Sequence, residues 1–394
     1  MFLQDFPPMG VYETLFKFQD ATGRYMGDPG THPWAQGFPL TTQLPGGPPM
    51  PGSVEFGATD LKYPAASGVQ PLREAIAAYY NHFYGTRLDA EHVAVFAGGR
   101  PGIFATLLFL QRDVTVLIEE TEYTPYFDKL RLLSRAHRLV PSHAENRFRP
   151  TLADYDAARR TAPGRTLLVR SNPCNPTGVA WTGDALRDLV AFGSQDGHGA
   201  LFDEAYEFFN ATGPVSALAY VKDIDATNVF VVGAATKGLQ APGMRVGWVV
   251  AAKRHIEIFR NFSSIAMGGV SRPSQLYVTR LLELGRVAQA RDAVVRFYNE
   301  QRDRYRAGLT RLGLELFTGD GGFYHWGRLP GGLTADELNT RLFRHQAAIL
   351  PGTLCDMQRR GDAGDHRHFV RFSFGPLPAD TYEANLDILG DCLR

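Results

Sequence analysis

Short apolar runs alternate with amphipathic stretches through most of the chain, and this alternation sets the reading of its fold. From about residue 71 the pattern runs helix then strand. Leu72 to Tyr84 has helical spacing, Val93-Ala94-Val95-Phe96 is a short β-branched run, Ile103 to Leu110 is helical again, and Val114 to Ile118 is a second apolar run. Further runs of this kind stand at Thr166 to Val169, Ala200 to Phe202, Val229 to Val232 and Val246 to Val250. Continuous apolar runs bounded by turn formers suit strands buried on both faces. Strands alternating with helices imply an α/β domain with a wide, mostly parallel sheet.

After about residue 272 the helical stretches lengthen, to Gln275 to Leu284 and Arg286 to Leu312, and Gly321-Gly322-Phe323-Tyr324-His325-Trp326 reads as a strand of a new unit. At the other end, Val11 to Phe18 suits one short helix. Residues 26 to 53 are crowded with Gly and Pro, including Leu44-Pro45-Gly46-Gly47-Pro48-Pro49-Met50-Pro51-Gly52, which excludes regular helix and central strand. The expected organisation is an N-terminal arm over 1–55, packing with the small domain or at an active-site mouth, a large domain over 56–285 and a smaller C-terminal domain over 286–394.

Composition narrows the function classes. Hydrophobic residues at 44% and charged residues at 21% fit a globular chain. Lys plus Arg (41) balance Asp plus Glu (41) with no basic block, so small molecules are expected as partners, not nucleic acid or an anionic membrane. The cysteines Cys174, Cys355 and Cys392 have no CxxC spacing, which suits a reducing compartment. The stretch Met1-Phe2-Leu3-Gln4-Asp5 lacks a basic targeting region, and no apolar run reaches the ~18 to 20 residues of a membrane span. A cytoplasmic protein is expected. The histidines have no metal-ligand spacing, so no metal is expected, and His366-Arg367-His368 reads as a solvated polar loop.

Open α/β sheets bind ligands beyond the carboxyl ends of their strands, so the polar residues following each apolar run carry the candidate chemistry. Asp203-Glu204-Ala205-Tyr206 follows one such run and Gly233-Ala234-Ala235-Thr236-Lys237-Gly238 follows another. A carboxylate and an amine are thereby expected at neighbouring strand ends.

At these residues the chain resembles the class I/II aminotransferases, the fold-type I enzymes that use pyridoxal 5′-phosphate (PLP). Asn172-Pro173-Cys174-Asn175-Pro176-Thr177-Gly178 is similar to the family's Asn-Pro-Thr-Gly loop, Asp203-Glu204-Ala205-Tyr206 to its Asp-x-x-Tyr, and Lys237 to Trp248 to its cofactor-lysine segment, with Arg245 at the family's spacing from Lys237. The resemblance runs from about residue 60 to the C-terminus. It implies a large domain with a mostly parallel seven-stranded sheet, a smaller α+β domain and a homodimer.

It also implies roles. Lys237 would carry PLP as a Schiff base and, once displaced by a substrate amine, move the proton. Asp203 would keep the pyridine nitrogen protonated, making the ring an electron sink. Asn175 and Tyr206 would hydrogen-bond the phenolic oxygen, and Tyr123, or alternatively Tyr126, would stack on the ring. The turn Gly98-Gly99-Arg100-Pro101-Gly102 would hold the phosphate through Gly99, Arg100 and Gly102, with Arg245, and with Tyr63 lent by a second subunit. Arg371, in Phe369-Val370-Arg371-Phe372-Ser373-Phe374, would clamp the substrate carboxylate together with Asn175.

The match departs in places. Ala234 and Thr236 stand where serines are common, and Pro101 has no N–H to give a phosphate. The expected activity is amino-group transfer from an α-amino acid to a 2-oxo acid. The alternative is a lyase, β/γ-replacement, cyclase or carbon–carbon bond-forming reaction on the same fold. A binding module attached to a DNA-reading domain is disfavoured, because nothing ahead of residue 60 accommodates one.

Overall fold

The structure is a computed structural model describing residues 2, 3 and 6–394; Met1, Gln4 and Asp5, which belong to the expected arm and to the stretch read as carrying no targeting region, lie outside the described residues. Among the described residues, seven strands form the larger sheet: β1 (Val93–Phe96), β2 (Thr115–Glu119), β3 (His137–Val140), β4 (Thr166–Ser171), β5 (Gly199–Asp203), β6 (Val229–Ala234) and β7 (Gly247–Val250). Their order is β1-β7-β6-β5-β4-β2-β3, parallel except for β7, which is antiparallel to both β1 and β6.

The continuous apolar runs have a direct cause. Side chains alternate along a strand, so a strand covered on both faces must be apolar throughout. In β1, Val93 and Val95 join one core layer while Ala94 and Phe96 join the other; in β5, Ala200 and Phe202 face one layer and Leu201 the opposite one. The helices α1 (Val11–Thr22), α2 (Gln70–Tyr84), α3 (Gly99–Phe109), α4 (Pro125–Leu132), α5 (Leu152–Arg160) and α6 (Gly183–Gly193) precede or connect these strands, and α7 (Lys253–Phe262) and α8 (Arg272–Leu281) follow them. Residues of α2, α5, α6 and α8 fill one layer, and residues of α3, α4 and α7 fill the other.

The long α9 (Leu284–Arg311) leads to a second sheet of β8 (Glu315–Leu316), β9 (Tyr324–Arg328), β10 (Leu350–Pro351) and β11 (Phe369–Ser373), antiparallel in the order β10-β11-β9-β8, with α10 (Ala335–Leu342) and α11 (Tyr382–Leu393). Helix α1 packs Phe18 edge-on against Phe343, 5.9 Å between centroids. The Gly/Pro-rich arm is strapped down by single hydrogen bonds. Trp34 is buried with its indole N–H on Asn385 Oδ1 at 2.8 Å, and Gln240 Nε2 donates to the carbonyls of Leu40 at 2.7 Å and Thr42 at 2.8 Å.

Three features differ from the pattern reading. Strand β3 escapes it, because His137 and Arg138 lie on a half-buried edge where continuous apolar character is not required. Helix α3 starts at Gly99, ahead of Ile103, since Pro101 in the first turn gives up an N–H that has no helical partner there. His366, read as solvated, is buried at 3% exposure against Thr121 Oγ1 at 2.7 Å, and burial pushes its pKa down to about 4. Among the described residues no helix is long and apolar enough to cross a membrane.

Candidate active site

Because β4, β5 and β6 are parallel neighbours, their ends arrive together. Ser171 stands opposite Asp203, and Asp203 opposite Val232, so the segments that follow these residues meet at one edge of the sheet. Strand β7 runs the other way, which brings its start, preceded by Arg245, to the same edge. A cavity of ≈ 310 Å³ opens there. Gly99, Arg100, Tyr123, Asn175, Asp203, Tyr206, Lys237 and Arg245 all line it.

The start of α3 forms one end of the cavity. Gly98 caps it with φ 102, and among the described residues no side chain takes the free amides of its first turn. Crowding fixes glycine here: a Cβ on Gly98 would lie 2.6 Å from Arg245 Nη2, and one on Gly247 would lie 2.4 Å from the Gly98 carbonyl carbon. Arg245 adopts a left-handed conformation with φ 53 and donates Nη1 to Pro242 O at 2.9 Å. A helix start with uncapped amides beside a guanidinium is an anion site.

Lys237 lies across the cavity, its amine donating to Gly37 O. Burial pushes its pKa down to about 7, the guanidinium groups of Arg100 and Arg371 push the same way, and Asp203 opposes them. Asp203 is buried and accepts from Tyr126 Oη at 2.9 Å and Ala205 N at 3.1 Å. Burial raises its pKa, while these hydrogen bonds and the amines of Lys129 and Lys237 hold it back. An amine near neutrality facing a buried carboxylate can accept and release a proton at physiological pH.

Tyr123 is half-buried, accepts from Arg100 Nε at 2.7 Å, and stands edge-on to Tyr126, which is fully buried and bound to Asp203. Of the two tyrosines, only Tyr123 lines the cavity. Asn175 accepts from Arg371 Nη1 at 2.8 Å, and Arg371 Nη2 donates to Ala35 O at 2.6 Å. Arg371 thus reaches the cavity through Asn175 and does not line it; among the described residues its buried Nε has no partner.

Two expected residues stand apart. Gly102 lies inside α3, where a Cβ would meet Val249 Cγ2 at 2.7 Å, so it lets the helix approach β7 closely and does not line the cavity. Tyr63 is 91% exposed and outside the cavity.

Sequence reasoning passed over several neighbours. Tyr12 of α1 and Ser171 line the cavity. Glu122, fully buried, accepts from Ser171 N at 2.7 Å and Ser171 Oγ at 2.8 Å, and burial pushes its pKa up to about 8. Ser171 Oγ in turn accepts from Asn175 N at 3.1 Å. Tyr324 of β9 shares a hydrogen bond with the Tyr206 hydroxyl. Glu122 gave no signal because it lies in the polar run Glu119-Glu120-Thr121-Glu122, which reads as solvated, and Tyr12 and Tyr324 had none in their local sequence.

Comparison with known proteins gives the family and the fold. The family model described as aminotransferase class I and II matches residues 55–385. The LL-diaminopimelate aminotransferase of Dehalococcoides mccartyi is 26% identical over 302 residues, covering 74% of this chain and 75% of the relative. A probable aspartate/prephenate aminotransferase of Thermus aquaticus is 27% identical over 300 residues, covering 74% and 76%. The crystal structure of an aminotransferase from Mycobacterium tuberculosis superposes with a TM-score of 0.80 at 22% identity, covering 98% of this chain and 97% of that one, a likeness that carries the fold.

Proposed function

The chain belongs to the class I and II aminotransferases, enzymes that use PLP to act on amino acids, and from that membership we propose which of its residues hold the cofactor and carry the reaction. PLP, when bound, supplies an aldehyde that takes up an amine and a ring that accepts electrons from the substrate Cα. The residues present fit it. The uncapped start of α3, with Gly99, Arg100 and the Arg245 guanidinium against Gly98, suits the phosphate. Asp203 suits the ring nitrogen, Tyr123 the ring face, Asn175 and Tyr206 the phenolic oxygen, and Lys237 the aldehyde. Gly102 supports the site from inside α3 by letting the helix close on β7.

Each side chain then has a task set by its surroundings. Lys237 Nζ, near neutrality because of burial, takes the proton from the substrate Cα, and its hydrogen bond to Gly37 O restrains where it points. Asp203, fixed by Tyr126 and Ala205 N, would keep a proton on the cofactor's ring nitrogen. Arg371 binds the α-carboxylate. Its Nη1 donates to Asn175 Oδ1, which lines the cavity, so the guanidinium stands directly behind the wall that a carboxylate would meet.

The substrates are an α-amino acid and a 2-oxo acid acceptor, and the active form is a homodimer. Phe56 at 53%, Leu61 at 74% and Tyr63 at 91% exposure form an apolar stretch suited to burial by a second copy, which would bring Tyr63 to that copy's phosphate. The observation that carries this reading is the near-neutral amine of Lys237 facing Asp203 in a cavity that ends in an uncapped helix start. The test is to load the protein with PLP, supply a panel of amino acids with 2-oxoglutarate, and measure glutamate by chromatography. Glutamate formed by wild type and absent with Lys237→Ala supports the reading; equal glutamate from both overturns it.

A further inference from the structure

We propose that Tyr324 is a positioning residue with two separable duties: its hydroxyl orients the hydroxyl of Tyr206, and its ring holds the guanidinium of Arg371. The inference rests on the cofactor and substrate roles proposed above for Tyr206 and Arg371.

Strand register makes the second duty possible. In the antiparallel pair of β9 and β11, Tyr324 stands opposite Ser373 and Arg371 opposite Trp326, so Tyr324 and Arg371 are diagonal neighbours on one face. The Arg371 guanidinium carbon lies 4.2 Å from the centroid of the Tyr324 ring, within cation–π range. Both residues are buried, so little water screens the attraction. The guanidinium is thereby held from three sides, by Asn175 Oδ1, by Ala35 O and by the ring face.

The first duty follows from counting hydrogens. Tyr324 is fully buried, and among the described residues its hydroxyl has one hydrogen-bond partner, the hydroxyl of Tyr206. A buried hydroxyl without a partner is costly, and packing alone would be satisfied by phenylalanine. Each phenol has one proton. If Tyr324 donates to Tyr206, the Tyr206 proton remains free for an acceptor in the cavity; in the opposite direction it is spent. The Arg371 guanidinium lies against the Tyr324 ring, 4.2 Å from its centroid, which favours Tyr324 as the donor. Burial raises both phenols and Arg371 opposes it at both, but Tyr324 is raised only to about 12 whereas Tyr206 is raised well above its ordinary value.

The arm closes over this pair. A Cβ on Gly37 would lie 2.2 Å from Tyr324 Oη and 3.6 Å from Tyr206 Oη, so the backbone that receives the Lys237 amine also covers the two hydroxyls. A residue of the four-stranded sheet is therefore in contact with both the carboxylate clamp and a phenol that faces the cavity wall.

Two substitutions separate the duties. A donor on the cofactor's phenolic oxygen favours loss of the proton from the nitrogen joined to the cofactor, so weaker donation by Tyr206 raises the pH midpoint of the visible cofactor band. Tyr324→Phe keeps the ring: the midpoint should rise by roughly half a unit to one unit, with the amino-acid KM and the Kd of a simple monocarboxylate inhibitor unchanged. Tyr324→Leu should raise the midpoint equally and also weaken KM and that Kd about tenfold, the loss of one desolvated cation–π contact. Thermal melting of each holoenzyme checks folding. An unshifted midpoint in Tyr324→Phe, or a Kd weakened as much in Phe as in Leu, overturns the assignment while leaving the cofactor reading intact. Wild type that develops no visible band with PLP overturns both.

Discussion

The seven-stranded sheet has a cavity at each end, and only one has the makings of chemistry. At the end where β4, β5 and β6 finish, ≈ 310 Å³ is bounded by Lys237, Asp203, Arg100 and Arg245. At the opposite end, ≈ 200 Å³ is walled by Phe109, Val114, Phe230, Ile258 and Phe259, with His198 and His255 among them. Those histidines are occupied: His255 Nε2 bonds Asn228 Oδ1 at 3.1 Å, its pKa pushed down to about 4 by burial, and His198 Nδ1 bonds Thr166 Oγ1 at 2.8 Å. What distinguishes the first cavity is that opposed charges converge there without fully cancelling, leaving an amine near neutrality beside a buried carboxylate.

Four changes sharpen the contrast. Lys237→Ala should show the largest effect, a fall in turnover of roughly 10³-fold or more, since the proton carrier is removed; single-turnover rates check it. Arg371→Lys should lower kcat/KM by about tenfold or more, because a point charge cannot reproduce a planar fork held by Asn175 and Ala35 O; steady-state kinetics on one amino acid measure it.

Glu122→Gln tests the buried carboxyl beside the site. In the folded chain its pKa is about 8, against an ordinary 4.5, so the folded state keeps a proton that the unfolded chain releases. The stability this contributes is full below about 4.5 and is lost as pH rises through about 8. Wild-type melting temperature should therefore fall across that window relative to Glu122→Gln, and parallel curves would contradict the burial argument. Phe259→Ala, at the opposite cavity, should lower stability by roughly 3–5 kcal/mol in denaturant titrations while the folded enzyme keeps its turnover. A large loss of turnover there would erase the distinction between the two ends.

Much of the fold was legible because its strands are covered on both faces, which forces continuous apolar runs such as Val229 to Val232. The edge strand β3 escaped for the same reason in reverse: half-buried, it tolerates His137 and Arg138. In the site, Asp203 and Lys237 stand at strand ends, so a carboxylate and an amine there were readable from position, whereas Asn175 and Arg245 came from the resemblance to the family's motifs. Tyr12 and Tyr324 were not, because each acts through a contact between distant segments, and Tyr324 lies in an apolar run that reads as core. Gly37 was invisible for a different reason: it meets Lys237 through its backbone carbonyl, which every residue possesses.

The central claim is that one amine, Lys237, receives the cofactor. The chain offers a rival in Lys129, also buried, its pKa pushed down to about 8 by burial and by Arg100. Borohydride reduction of the PLP-loaded protein, followed by peptide mass spectrometry, decides between them. The account predicts the phosphopyridoxyl mass on Lys237 alone; its appearance on Lys129, or on no lysine at all, would contradict it.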